Sequence, residues 1–149
     1  MVSVEQGSSR IMTSGDDDNG AAIVANNQTI VTGTFGVETL QNLSSDKRTR
    51  LSLFATGISG SVSNTSIAND VNVGGVVRPN FAESVAVEAR LGDGRVYLLP
   101  VEFAGAQGVL PGLDQVNVRL IPELRGAGTV QLTLILGGRR SNAPTIVIQ

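Results

Sequence analysis

The sequence predicts an all-β fold, an antiparallel β-sandwich preceded by an extension of short strands. Three observations predict it. Apolar residues recur with a period of two rather than the helical 3.6. Turn-forming pairs rich in glycine punctuate the chain about every 8–12 residues, the spacing of a sandwich. Charged residues make up only 16% of the 149 positions, and the alanine-, glutamate- and lysine-rich stretches of helical proteins are missing.

The elements follow in order. Residues 1–46 hold short apolar pieces, Val2–Val4, Ile11-Met12, Ala21–Ala25 and Thr29–Thr32, separated by polar sequence such as SGDDDNG. They read as three or four short strands, too few to bury a core alone. We therefore expect two parts: an N-terminal strand-forming extension over 1–46, packed in cis or donated to a neighbouring subunit, and a sandwich over 47–149. Val37–Leu43 has the pattern of a single helical turn. Arg50-Leu-Ser-Leu-Phe-Ala begins the sandwich, and Val85, Val87, Ala89 and Leu91 share one face of a later strand. Tyr97, Leu99, Val101 and Phe103 form another apolar face, within which Pro100 predicts an edge, a bulge or a split. Val116, Val118 and Leu120 alternate with Asn117 and Arg119, and Val130, Leu132, Leu134 and Leu136 with Thr129, Gln131 and Thr133. Asp93-Gly94 and Gly137-Gly138 are hairpin signals, and Gly74-Gly75 is a third.

Composition removes whole classes of function. The chain has no Cys and no His, which excludes disulfides, thiolate and imidazole metal sites, and every mechanism built on those side chains. A net charge of −2 lacks the basic footprint of a nucleic-acid binder, so no nucleic-acid partner is expected. The chain contains no run of 18 apolar residues, so no membrane insertion is expected, and Met1-Val-Ser-Val-Glu is not a signal peptide. The expectation is a cytosolic chain or, in preference, a mature or excised piece of something larger. Charge is uneven: residues 1–46 carry six acids against Arg10, a net −5, and the remainder is +3. The two parts attract, within one molecule or between neighbours.

Several residues invite chemistry. Asp16, Asp17, Asp18 and Asn19 cluster oxygen ligands of the kind calcium takes, although the spacing is not that of an EF-hand. A solvated turn is the plainer reading. Lys47 is the only lysine, as in domains that form a Lys–Asn isopeptide bond, but it stands in the polar run SSDKRTR and reads as a surface residue. Glu83, Glu88, Glu102, Asp93 and Asp114 could supply the carboxylate pair of a glycosidase. Sugar sites also use aromatic platforms, and the chain has one Tyr, four Phe and no Trp. Arg139-Arg140 and the alternating Arg48 and Arg50 read as charged outer faces that protect sheet edges, or as a surface for an acidic partner such as Asp16–Asp18 of another copy.

The densest stretch is VLPGLDQVNVRLIPEL, Val109 to Leu124. Pro111-Gly112 make a turn into a strand and Pro122 ends it. Asp114 and Asn117 are expected to bond loop backbone rather than to catalyse.

Three segments, LSLFATGISGSV, YLLPVEFAGAQGVLPGLDQVNVRLIP and RGAGTVQLTLILGGRRSNAPTIVI, together resemble the uncharacterised C-terminal domain of secreted proteins of Acidobacteria such as Solibacter. The likeness covers about residues 48–149, and its signature positions here are Gly112, Asp114, Gln115, Asn117 and Asn142. The resemblance implies an immunoglobulin-like sandwich carried on extracellular or cell-surface proteins, and it implies no reaction. The expected function is therefore a non-catalytic structural or interaction module without a cofactor, whose partners are neighbouring domains or copies of itself. The alternatives are a self-assembling subunit, a homo-oligomer or fibre joined by strand donation, and a calcium- or glycan-binding module.

Overall fold

A computed structural model describes residues 10–12, 23–24, 29–30, 34–38, 45–60, 71–73 and 76–149. The strands are β1 (Arg10–Met12), β2 (Ile23–Val24), β3 (Thr29–Ile30), β4 (Thr34–Phe35), β5 (Arg50–Thr56), β6 (Val71–Val73), β7 (Val76–Arg78), β8 (Val85–Leu91), β9 (Val96–Leu99), β10 (Val101–Ala106), β11 (Asp114–Arg119), β12 (Gly128–Leu136), β13 (Arg139–Arg140) and β14 (Thr145–Ile148). Single 3-10 turns occupy Ala82–Ser84 and Pro122–Leu124.

Two sheets enclose one core. The first runs β10-β11-β5-β2-β3, with β1 also paired to β5, and the second runs β4-β14-β12-β8-β9, with β13 paired to β12. Pairing is antiparallel except for β4, which lies parallel to β14. The alternation read from the sequence gives the burial directly. Val116 and Val118 of β11, Leu51, Leu53 and Ala55 of β5, Val87 and Ala89 of β8, and Val130, Leu132 and Leu134 of β12 are all buried in one cluster. Burying an aliphatic side chain of this size stabilises by about 1.5–3 kcal/mol, so the facing sheets hold each other.

The N-terminal third is joined to both sheets of its own chain. β1 pairs with Phe54–Thr56 and β2 with Leu51-Ser52, both on the β5 edge opposite β11. Phe35 and Val37 enter the common core. Of the helical turn expected over Val37–Leu43 only the first two residues are described, and they are bonded otherwise: Val37 accepts from the Thr49 N–H, and Glu38 makes a bridge with Arg48; residues 39–43 lie outside the described residues. The acidic segment containing Asp16, Asp17, Asp18 and Asn19 lies outside the described residues, as do residues 74–75, although β6 and β7 pair on either side of the latter with Val73 opposite Val76.

The other two hairpins form. Gly137 and Gly138 both take positive φ, 56° and 77°, as a type I′ turn requires, and join β12 to β13. At the second, the Gly94 N–H donates to Leu91 O and the Leu91 N–H to Arg95 O, with Gly94 left-handed. The turn therefore carries one more residue than a two-residue loop, as a glycine bulge.

Pro100 splits its run in two: β9 belongs to the second sheet and β10 to the first. A bulge follows, because Val101 pairs with Val118 but Phe103 pairs with Asn117. The extra residue reverses the alternation. Phe103 therefore leaves the face it was expected to share with Tyr97, Leu99 and Val101 and lies on the outer side of its sheet.

Candidate functional site

β11 carries its chemistry on two levels. Its first residue, Asp114, is only 3% exposed and opposes Ala106 and Ala55. Its carboxylate accepts from the Ile58 N–H at 2.7 Å, from the Ser59 N–H at 3.2 Å, and from the Ser59 hydroxyl. Asp114 thus closes the loop that follows β5 and holds Ile58, fully buried, in the core. The turn before it is built as read: Leu113 N–H donates to Leu110 O across Pro111-Gly112, with Gly112 at φ 79°. Proline then glycine at those positions is the preference of a type II turn.

Gln115, Asn117 and Arg119 point to the outer face. Gln115 opposes Phe54, Asn117 opposes Ser52, and Arg119 opposes Arg50. The Ser52 hydroxyl donates to Asn117 Oδ1 at 2.9 Å, and Gln115 Nε2 donates to Asn117 Oδ1 at 2.7 Å. Asn117 therefore bonds side chains of the outer face, Ser52 on the neighbouring strand and Gln115 on its own, and not loop backbone, the expectation that Asp114 fulfils. A residue in the middle of a paired strand has its backbone committed to the ladder, so its amide finds partners sideways.

Next to this triad lies an ionic cluster. Asp46 accepts from Arg48 Nε at 2.8 Å and Nη2 at 2.9 Å, and from Arg50 and Arg119 at 3.2 and 3.3 Å. Glu102 accepts from Arg50 Nε at 2.7 Å and lies 3.5 Å from Arg119. Hydrogen bonding from the Arg48 guanidinium, opposed by partial desolvation, holds the Asp46 carboxyl well below the usual carboxylate range. Arg50 is raised, chiefly by its bond to Glu102. Arg119 Nε is buried without a partner among the described residues. Three guanidinium groups around two carboxylates leave the cluster with one positive charge and its carboxylates occupied. Such an arrangement locks β5, β11 and the bulge of β10 in register; Asp46 stays ionised and is no proton donor near neutral pH.

The remaining carboxylates are dispersed. Glu88 stands on the outer face of the other sheet, bonded to Arg140, and Asp93 lies in the β8–β9 hairpin, bonded to Arg95 at 2.7 Å. Asp114 is buried and Glu102 faces outward on the first sheet. Lys47 is exposed, whereas an isopeptide bond needs a buried amine. Asn142 lies beyond the β12–β13 hairpin, where its carbonyl accepts from the Ser141 hydroxyl at 2.6 Å. Among the described residues no group of three or more acidic side chains is placed to hold a metal ion.

Sequence reasoning missed Asn80. Its Oδ1 accepts from the Ala82 and Ala104 N–H groups, both at 3.0 Å, and its Nδ2 donates to Glu102 O at 3.2 Å. Together with Phe81 N–H donating to Ala104 O at 2.7 Å, this seals the outer edge of β10. Gly105 permits the approach: a Cβ there would stand 2.6 Å from Pro79 O. The signal was available in Pro79-Asn80 ahead of a short polar turn, since Asn side chains bond backbone two residues on.

No protein-family model matches the chain, and no curated protein or solved structure matches it.

Proposed function

We propose that the chain is an immunoglobulin-like sandwich acting as a non-catalytic structural and interaction module of an extracellular or cell-surface protein. The strand order carries this reading. Immunoglobulin sandwiches place strands A-B-E-D in one sheet and C-F-G in the other, with C′ added beside C in the variable type. Taken in chain order, β2, β5, β11 and β10 occupy the places of A, B, E and D, and β14, β12, β8 and β9 those of G, F, C and C′. The β6–β7 hairpin is then an insertion between B and C. The side chains that look most chemical in the sequence support the same reading, since Asp114, Asn117, Arg50 and Arg119 are bonded to the scaffold itself. A fibre subunit joined by strand donation would exchange β1 and β2 between copies, because within one chain they already occupy the β5 edge.

Scanning calorimetry of the full chain with millimolar calcium, with chelator and with a panel of glycans tests the proposal. A single transition at one temperature in all conditions is expected. A rise of several degrees with calcium or a sugar would make the chain a ligand-binding module, because only a ligand bound to the native state raises the transition.

A further inference from the structure

We infer that β9 is a pairing edge for a second copy of this chain, joined as an antiparallel β9–β9 pair about a two-fold axis. This rests on the reading of the chain as an interaction module and names its partner. The two outermost long strands are treated differently. The edge of β10 is closed by Asn80 and Phe81, which bond its Ala104 N–H, Ala104 O and Glu102 O. β9 pairs only with β8 among the described residues.

The register fixes which groups are free. Leu91 N–H donates to Arg95 O, so Leu91 and Arg95 are a hydrogen-bonded pair. Bonded and non-bonded pairs alternate along an antiparallel ladder. Tyr97 and Leu99 therefore direct their backbone groups at β8, while Val96 and Leu98 direct theirs outward. The side chains agree: Tyr97 and Leu99 turn to the core, whereas Val96 and Leu98 are 41% and 64% exposed.

This short edge is complementary to itself. The two outward-facing residues are symmetric about Tyr97, so two copies related by a two-fold axis place Val96 opposite Leu98 of the partner subunit, and Leu98 opposite Val96 of the partner subunit. Both pairs can exchange N–H···O=C bonds, and the four exposed aliphatic side chains meet on one face. A longer foreign strand gains nothing further, because Pro100 has no N–H on one side and the Gly92–Gly94 turn ends the strand on the other. β9 itself, VYLL, carries no charge, proline or bulge, and of the devices that discourage edge pairing it has only its shortness. The contact is isologous and closes at two copies.

The absence of cysteine allows a direct test. Opposed hydrogen-bonded residues have Cα atoms about 5.5 Å apart, inside the range a disulfide spans, whereas diagonal neighbours are about 7–8 Å apart. Val96→Cys and Leu98→Cys are made separately at these exposed positions and their fold is checked by thermal melting. Under mild oxidation the mixture of the two should form a covalent dimer much faster than either variant alone. Sedimentation of the unmutated chain should show a dimer at several hundred micromolar, and Leu98→Lys should abolish it. Equal crosslinking in all three samples, a monomeric unmutated chain, or a dimer that survives Leu98→Lys would each overturn the pairing. Those outcomes leave the module reading standing, since that reading is tested by the ligand-dependent melt and not by the oligomeric state.

Discussion

Replacing Asp114 by Ala removes the acceptor on which the loop after β5 depends. Three bonds are lost, but they differ in weight. The Ile58 N–H is buried with its residue, so without the carboxylate it has neither protein nor water to bond. An orphaned buried donor costs about 1–3 kcal/mol, and bonds to a charged acceptor lie at the upper end. The two bonds from Ser59 reach an exposed residue, where water takes over much of their contribution. The expected loss is about 3 kcal/mol, which for a chain of this size lowers the melting temperature by roughly 6–12 °C. Urea titration should show a lower midpoint with an unchanged slope, the sign that stability and not the denatured state has changed. Asp114→Asn keeps the shape and one acceptor oxygen and should fall between the two. If Asp114→Ala melts within about 2 °C of the unmutated chain, the loop is not held by this carboxylate and the scaffold reading of the β11 motif is wrong.

Other consequences are equally checkable. Gly105→Ala forces a methyl group against the Pro79 carbonyl and should cost about 1–3 kcal/mol in urea, with Phe81 displaced in the spectrum of aromatic protons. Asn80→Ala leaves the Ala104 N–H without its partner and uncovers the β10 edge; about 2 kcal/mol of stability should be lost, and light scattering should record concentration-dependent association. The carboxyls of Asp46, Glu88 and Asp93 are all held below their ordinary values, led by hydrogen bonds from Arg48, Arg140 and Arg95 respectively. Their contribution is complete above the unfolded-state values and disappears as pH falls through the folded ones. The melting temperature should thus decline from about pH 5 downward, and Asp46→Asn should flatten that decline.

Sandwich architecture was legible because it depends on a period of two; Val85–Leu91 and Asp114–Arg119 obey that period without interruption, and Gly128–Leu136 follows it as far as Leu132, after which Thr133 is buried as well. Gly137-Gly138 likewise announced its turn, since left-handed backbone at two successive positions is nearly a signature of Gly-Gly. Failure came where one residue changed the count. The β10 bulge moved Phe103 to the outer face, and a bulge has no pattern until its partner strand is known. Pro100 showed that something happens in that run, but the change of sheet depends on which strand each half meets. The charged cluster was half visible, as alternating Arg48 and Arg50; Asp46, Glu102 and Arg119 join them only because β5, β10 and β11 are neighbours in space. Asn80 was legible only as the start of a local turn; its hold on β10 was not, since Ala104 is 24 residues away in sequence.

The fold is defined by the order of strands in its two sheets, which cross-strand proton contacts in solution measure directly. Contacts should link Val118 to both Leu51 and Val101, Leu132 to Ala89, and Val147 to Thr34 in parallel register. Contacts that ran β9 and β10 as one strand of a single sheet, or that put β14 away from β12, would contradict the sandwich and every role assigned to its residues.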